Sequence, residues 1–123
     1  MNENKDNISK IKSKIRYLMT QRASCEKYLL ARHKMINASF VEMRTLSGGR
    51  KRKTPAYYLS RKVSGVTRLK YIRKDDIEMV RRRATSWKYY SINLSEYVKI
   101  SKEIEKLFRA LGILSLEIPD RYK

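Results

Sequence analysis

One cysteine, one histidine and one tryptophan are all that this 123-residue chain holds of those three types, and their scarcity removes several chemistries at once. Cys25 has no partner for an internal disulfide, and together with His33 it falls short of the Cys and His set that a structural zinc site requires. The two are eight residues apart on one helical stretch, more than two turns, so they do not form a nucleophile pair. Four glycines and two prolines are too few for a many-turned all-β chain, so the composition points to helix. No run approaches the roughly 18 apolar residues of a transmembrane helix, and Met1-Asn2-Glu3-Asn4-Lys5-Asp6 lacks the apolar core of a signal peptide. These absences predict a cytoplasmic protein, nucleoid-associated or, in a eukaryotic host, nuclear, with no cofactor and no membrane contact.

Acidic residues are the other shortage. Twelve Asp and Glu stand against 30 Lys and Arg, a formal net charge of +18. Yet 41% of the residues are hydrophobic and nine are tyrosine, too many for a disordered basic tail. A folded chain with such a field attracts polyanions, so nucleic acid, DNA or RNA, is the expected partner. The cations are concentrated in the middle. Residues 1–43 hold nine basic and four acidic side chains, residues 44–83 fourteen and three, and residues 84–123 seven and five. The outer thirds read as scaffold and the middle as the working surface.

Ile8, Ile11, Ile15, Leu18, Cys25 and Leu29 recur at the three-and-four spacing of a heptad seam, interrupted by Arg22, which predicts an amphipathic helix over 6–37. A basic loop follows at 44–55, around Gly48-Gly49 and Arg50, Lys51, Arg52 and Lys53. Over 56–72, two segments rich in aromatic and β-branched residues flank Ser64-Gly65, the pattern of a β-hairpin. Alternation there predicts an apolar face with Tyr57, Leu59, Leu69 and Tyr71, and a basic, hydroxylated one with Tyr58, Ser60, Arg68 and Lys70. Ile77, Val80, Ala84, Trp87, Ser91 and Leu94 open a second heptad pattern, which Tyr97, Ile100, Ile104, Leu107 and Leu111 continue after a three-residue shift. A long helix over 75–112 is expected, overwound or bent at the shift, where Asn93 and Glu96 resemble a capping box. Residues 113–123 form a tail. The expected fold is therefore α+β and mostly α: one domain over 1–123 with two long antiparallel coiled-coil-like helices and an inserted basic hairpin.

Within this frame the candidate nucleic-acid contacts are Arg50, Lys51, Arg52 and Lys53 in the loop, and Tyr58, Arg61, Lys62, Arg68, Lys70, Arg73 and Lys74 in and after the hairpin. Arg81 and Arg82 join them from the following helix. Cations suit backbone phosphates, and a tyrosine among them can stack on an unpaired base. Each group also has a plainer explanation: a solvated loop, cross-strand tyrosine packing, and arginines paired with Asp75 or Glu78. Asp75, Asp76 and Glu78 are the one acidic cluster, and acids in a first helical turn are explained by the helix dipole. No catalytic constellation emerges, and the chain reads as a non-enzyme.

Phe40-Val41-Glu42-Met43-Arg44, Tyr57-Tyr58-Leu59-Ser60-Arg61, a glycine turn, Thr67-Arg68 with Tyr71-Ile72 and an acidic start to a long helix together resemble a family of small uncharacterised bacterial and archaeal domains, often met near mobile-element genes. The resemblance covers about residues 39–110. Many relatives carry a cysteine-rich loop before the first strand, where this chain has Gly48-Gly49-Arg50-Lys51-Arg52-Lys53. A looser likeness, of architecture alone, is to the arm-binding domains of phage integrases. The resemblance implies an accessory protein of a mobile-element or defence complex. Two rival expectations stand beside it: an RNA-binding subunit of a ribonucleoprotein, and a coiled-coil module for an acidic protein partner. In each case the helices leave apolar residues uncovered, which predicts a homo-oligomer or a larger complex.

Overall fold

A computed structural model describes residues 2–45 and 51–123, with side chains over 4–44 and 54–123. The fold is α+β and mostly helical. Helix α1 (Asn2–Leu30) leads to strands β1 (Ser39–Thr45), β2 (Lys51–Val63) and β3 (Val66–Tyr71), and a 3-10 turn (Lys74–Asp76) opens helix α2 (Ile77–Leu114). Among the described residues no helix is long and apolar enough to cross a membrane. Contacts divide the chain into two compact units, 1–31 with 92–123, and 32–91.

The first unit is the helical pair. The carboxy-terminal part of α2 returns antiparallel to α1, and Ile15, Cys25, Ile100 and Ile104 form a buried cluster with Ile11, Leu18, Tyr97, Leu107 and Leu111 packed around it. Both heptad seams deliver these residues. Arg22, the interruption in the first seam, is half-buried and reaches Glu26 at 3.6 Å. The buried thiol of Cys25 acts as a small apolar residue.

The second unit is a three-stranded antiparallel sheet in the order β1-β2-β3, with the first part of α2. Its buried apolar residues are Ala56, Ile72, Val80 and Ala84. Strand β3 joins β2 through Ser64 and Gly65, both with positive φ (52° and 79°), the geometry that matches the twist of a two-residue hairpin. The hairpin expected from Ser-Gly is therefore present.

Three boundaries differ from the sequence expectation. Helix α1 stops at Leu30 instead of running to Asn37, because the next residues leave it to dock on α2: the Ile36 N–H donates to the Arg83 carbonyl at 3.1 Å. Ser39–Thr45 is a strand, since Phe40, Val41, Glu42 and Met43 pair with Leu59, Tyr58, Tyr57 and Ala56. The expected loop at 44–55 is thus strand at both margins, with β2 beginning at Lys51. The register shifts between Met43 and Thr45, opposite the stretch that contains Pro55, where a residue without an N–H is tolerated. Helix α2 runs unbroken through Asn93 and Glu96, so that pair caps nothing.

Ile104 is 3% exposed at the centre of the helical pair. Replacing it with Ala removes three carbons and leaves a cavity, with an expected cost of about 2–5 kcal/mol in urea unfolding. The same change at exposed Ile92 should alter the midpoint far less.

Candidate nucleic-acid interface

A two-residue turn pairs each odd position of β2 with an even position of β3. Tyr58 meets Tyr71, Leu59 meets Lys70, Ser60 meets Leu69, and Arg61 meets Arg68. This corrects the expected division into one apolar and one basic face, because paired residues share a face and the first three of these pairs each join a residue expected on one face to a residue expected on the other. One face carries Phe40, Glu42, Tyr57, Leu59, Arg61, Val63, Arg68 and Lys70. The other carries Val41, Met43, Tyr58, Ser60, Lys62, Thr67, Leu69 and Tyr71.

Helix α2 reaches the first of these faces at one end. The Arg81 guanidinium lies over the rings of Phe40 and Tyr57, 5.0 and 5.6 Å from their centroids, and also pairs with Glu78 at 3.0 Å. The two rings stack at 5.1 Å. Arg81 is thus held by cation–π and ion-pair contacts, the plainer of its two sequence readings.

Towards the hairpin end, the same face opens into a groove of about 620 Å³, lined by Ile36, Ala38, Leu59 and Val63 together with Arg61, Arg68 and Lys70, and reached at its β3 edge by Leu69 from the other face. Arg61 and Arg68 stand directly opposite each other, both exposed. Like charges so placed destabilise a strand pair. Among the described residues neither forms an ion pair with a carboxylate, and the same holds for Lys62, Lys70, Arg73 and Lys74. The groove therefore gathers three uncompensated cations among apolar residues, an arrangement that suits an anionic ligand.

The opposite face is open and aromatic. Tyr71 is 64% exposed, and the half-buried Tyr58 ring meets it edge-on at 5.7 Å. Lys62 shares this face, while Arg73 and Lys74 follow β3 at the entry to the 3-10 turn. All six β3 residues are exposed. Cations on such an edge strand also discourage pairing with another chain, which accounts for part of their placement.

The sequence-derived candidates thus separate. Arg61, Arg68 and Lys70 come together in the groove; Tyr58 and Lys62 lie on the other face; Arg81 is engaged in packing. Arg82 points to a different concavity, with Arg32, His33, Lys34, Arg83 and Ser86. Arg50 lies outside the described residues, as do the side chains of Lys51, Arg52 and Lys53. Arg32 and Lys34 are cations that sequence reasoning passed over, because they were assigned to a helix that ends before them, and Arg83 was left out of the candidates although it continues the run of Arg81 and Arg82. Asp75 and Asp76 occupy the first turn of the 3-10 helix, and among the described residues no group of three potential metal ligands stands together.

Arg61→Thr separates the ligand-binding role of the Arg61–Arg68 pair from a structural one. Removing one of two opposed arginines should leave stability unchanged or raise it by up to roughly 0.5 kcal/mol, while weakening nucleic-acid binding. Urea unfolding and fluorescence anisotropy on the same preparation check both halves. Compared with protein families, with curated proteins and with solved structures, the chain gives no match, so its site is read from its own residues.

Proposed function

We propose that the protein is a non-catalytic nucleic-acid-binding protein whose contact surface is the β2–β3 hairpin. The observation that carries this reading is the opposed, carboxylate-free pair Arg61 and Arg68, with Lys70 beside it in a partly apolar groove. Repulsion within the group is relieved when a phosphodiester backbone lies along it, since each neutralised phosphate also releases condensed counterions. Arginine adds bidentate geometry that matches phosphate oxygens. Lys62, Arg73 and Lys74 extend the cationic track, Lys51, Arg52 and Lys53 add charge at the start of β2, and Arg50 immediately precedes it in sequence. Tyr71, with Tyr58 against it, offers a ring on which an unpaired base stacks. The accessory role in a mobile-element or defence complex belongs to this proposal through the sequence resemblance alone.

Assembly is the second part of the proposal, and one observation favours it. Within the helical unit Tyr17, Met19, Leu30, Val98, Phe108 and Ile113 remain exposed although the seam is filled. Two helices cover only one stripe of each other, and a further copy of the same unit would cover these residues. Light scattering at several micromolar concentrations and moderate salt should report a mass above 14.7 kDa. A monomeric mass throughout removes self-association from the account.

Salt dependence tests the interface. If about six cations contact phosphates, log affinity against log salt should slope by roughly −4 to −5. Arg61→Ser, Arg68→Ser and Lys70→Ser together should make the slope shallower by about two to three units. A control with Lys10, Lys12 and Lys14 changed to Ser removes equal charge from α1 and should change it by less than about one unit. Equal losses in the two variants would show that net charge alone governs binding.

A further inference from the structure

The hairpin leaves unexplained a second group of cations, assembled from two distant parts of the chain. After α1 ends, residues 32–36 form neither helix nor strand and are held against α2 at two points. The Ile36 N–H donates to the Arg83 carbonyl at 3.1 Å, and the His33 ring meets Tyr90 edge-on at 5.9 Å. Tyr90 in turn lies parallel to Trp87, with centroids 6.4 Å apart. These anchors fix the intervening Lys34 beside the helix. The result is a concavity of about 420 Å³ lined by Arg32, His33, Lys34, Arg82, Arg83 and Ser86.

Four of the six lining residues are permanent cations and none is a carboxylate. Arg32, Lys34 and Arg82 are exposed and Arg83 is half-buried, so their head groups are accessible to a ligand. Among the described residues none of these four cations forms an ion pair with an acid. Neighbouring like charges raise the energy of the folded chain, and an anion among them lowers it. Three guanidinium groups offer paired N–H donors at the spacing of phosphate oxygens, Lys34 adds a point charge, and the Ser86 hydroxyl can donate a neutral hydrogen bond.

We propose that Arg32, Lys34, Arg82, Arg83 and Ser86 form a binding site for a phosphate group, separate from the hairpin groove. Two sources share that chemistry: a backbone phosphate of a nucleic acid, and a free or terminal phosphate group. The docked segment supplies half of the cations, so the site exists only where residues 32–36 lie on α2. His33 serves it as a positioning residue through its ring contact with Tyr90.

The test uses the intact protein and inorganic phosphate as probe. Backbone amide resonances are followed by NMR during titration with millimolar phosphate and, at matched ionic strength, with chloride. Phosphate should move the Lys34, Arg82, Arg83 and Ser86 signals saturably, and chloride should not. The shifts should disappear when Arg32, Lys34 and Arg82 are changed to Ser, and persist when Lys10, Lys12 and Lys14 are changed instead. They should also persist in the variant lacking Arg61, Arg68 and Lys70, so that failure of the hairpin reading leaves this one standing. Single-stranded oligonucleotide then separates the sources. If the Arg32, Lys34 and Arg82 variant has a shallower salt slope, by about two to three units, the site takes backbone phosphate; an unchanged slope with phosphate shifts present assigns it to a free or terminal group. Equal responses to phosphate and chloride, or shifts that survive loss of the three cations, overturn the proposal. The comparison of phosphate with chloride needs no substitution, so it decides the matter even if a variant fails to fold.

Discussion

The turn at Ser64 and Gly65 fixes which charges face each other in the sheet. Two residues with positive φ join the strands at Val63 and Val66, and that length couples odd positions of β2 to even positions of β3. A turn longer by one residue would pair Arg61 with a neighbour of Arg68 that points to the other face. The opposed arginines, the Lys70 flank and the mixed character of both faces all descend from this local geometry. Serine at a positive φ is a mild strain, and glycine beside it bears the conformation without a Cβ penalty.

Helix α2 connects this sheet chemistry with the helical scaffold. Its first part presents Val80 and Ala84 to the interior of the sheet unit and lays Arg81 across Phe40 and Tyr57. Its second part gives Ile100 and Ile104 to the pair with α1. The heptad pattern shifts by three residues between these parts, and Leu94, assigned to the seam by spacing, is 46% exposed. The shift requires no break in the helix. It falls next to the boundary between the two units, at residues 91 and 92.

The scarcity of acids governs which cations are paired. Ion pairs in the helices, Arg22 with Glu26, Arg81 with Glu78 and Arg109 with Glu105, use neighbouring residues along the chain, and Arg44 with Glu42 does the same in β1. Such exposed pairs contribute little stability each. Among the described residues they leave the cations of β3 and of the docked 32–36 segment without a carboxylate in an ion pair. The two proposed anion sites, one on the hairpin and one between the segment and α2, are built from these cations.

The sequence by itself determined the helical seams, the hairpin turn, the concentration of charge in the middle third and the α+β class. Each of these is a short-range property: a repeat of three and four, two residues at a turn, a local excess of Lys and Arg. Tertiary structure alone decided that α1 stops at Leu30, because neither glycine nor proline ends it there and the segment after it is drawn off by the Arg83 carbonyl. The strand at Ser39–Thr45 was faintly legible in its alternating, aromatic and β-branched residues, but its pairing runs from Thr45 with Lys51 to Ser39 with Ser60 and is set by the sheet. The separation of Arg81 from Arg82, adjacent in sequence and engaged with different surroundings, was not legible. Adjacent positions on α2 point about 100° apart, and only the placement of the sheet and of residues 32–36 says what each direction meets.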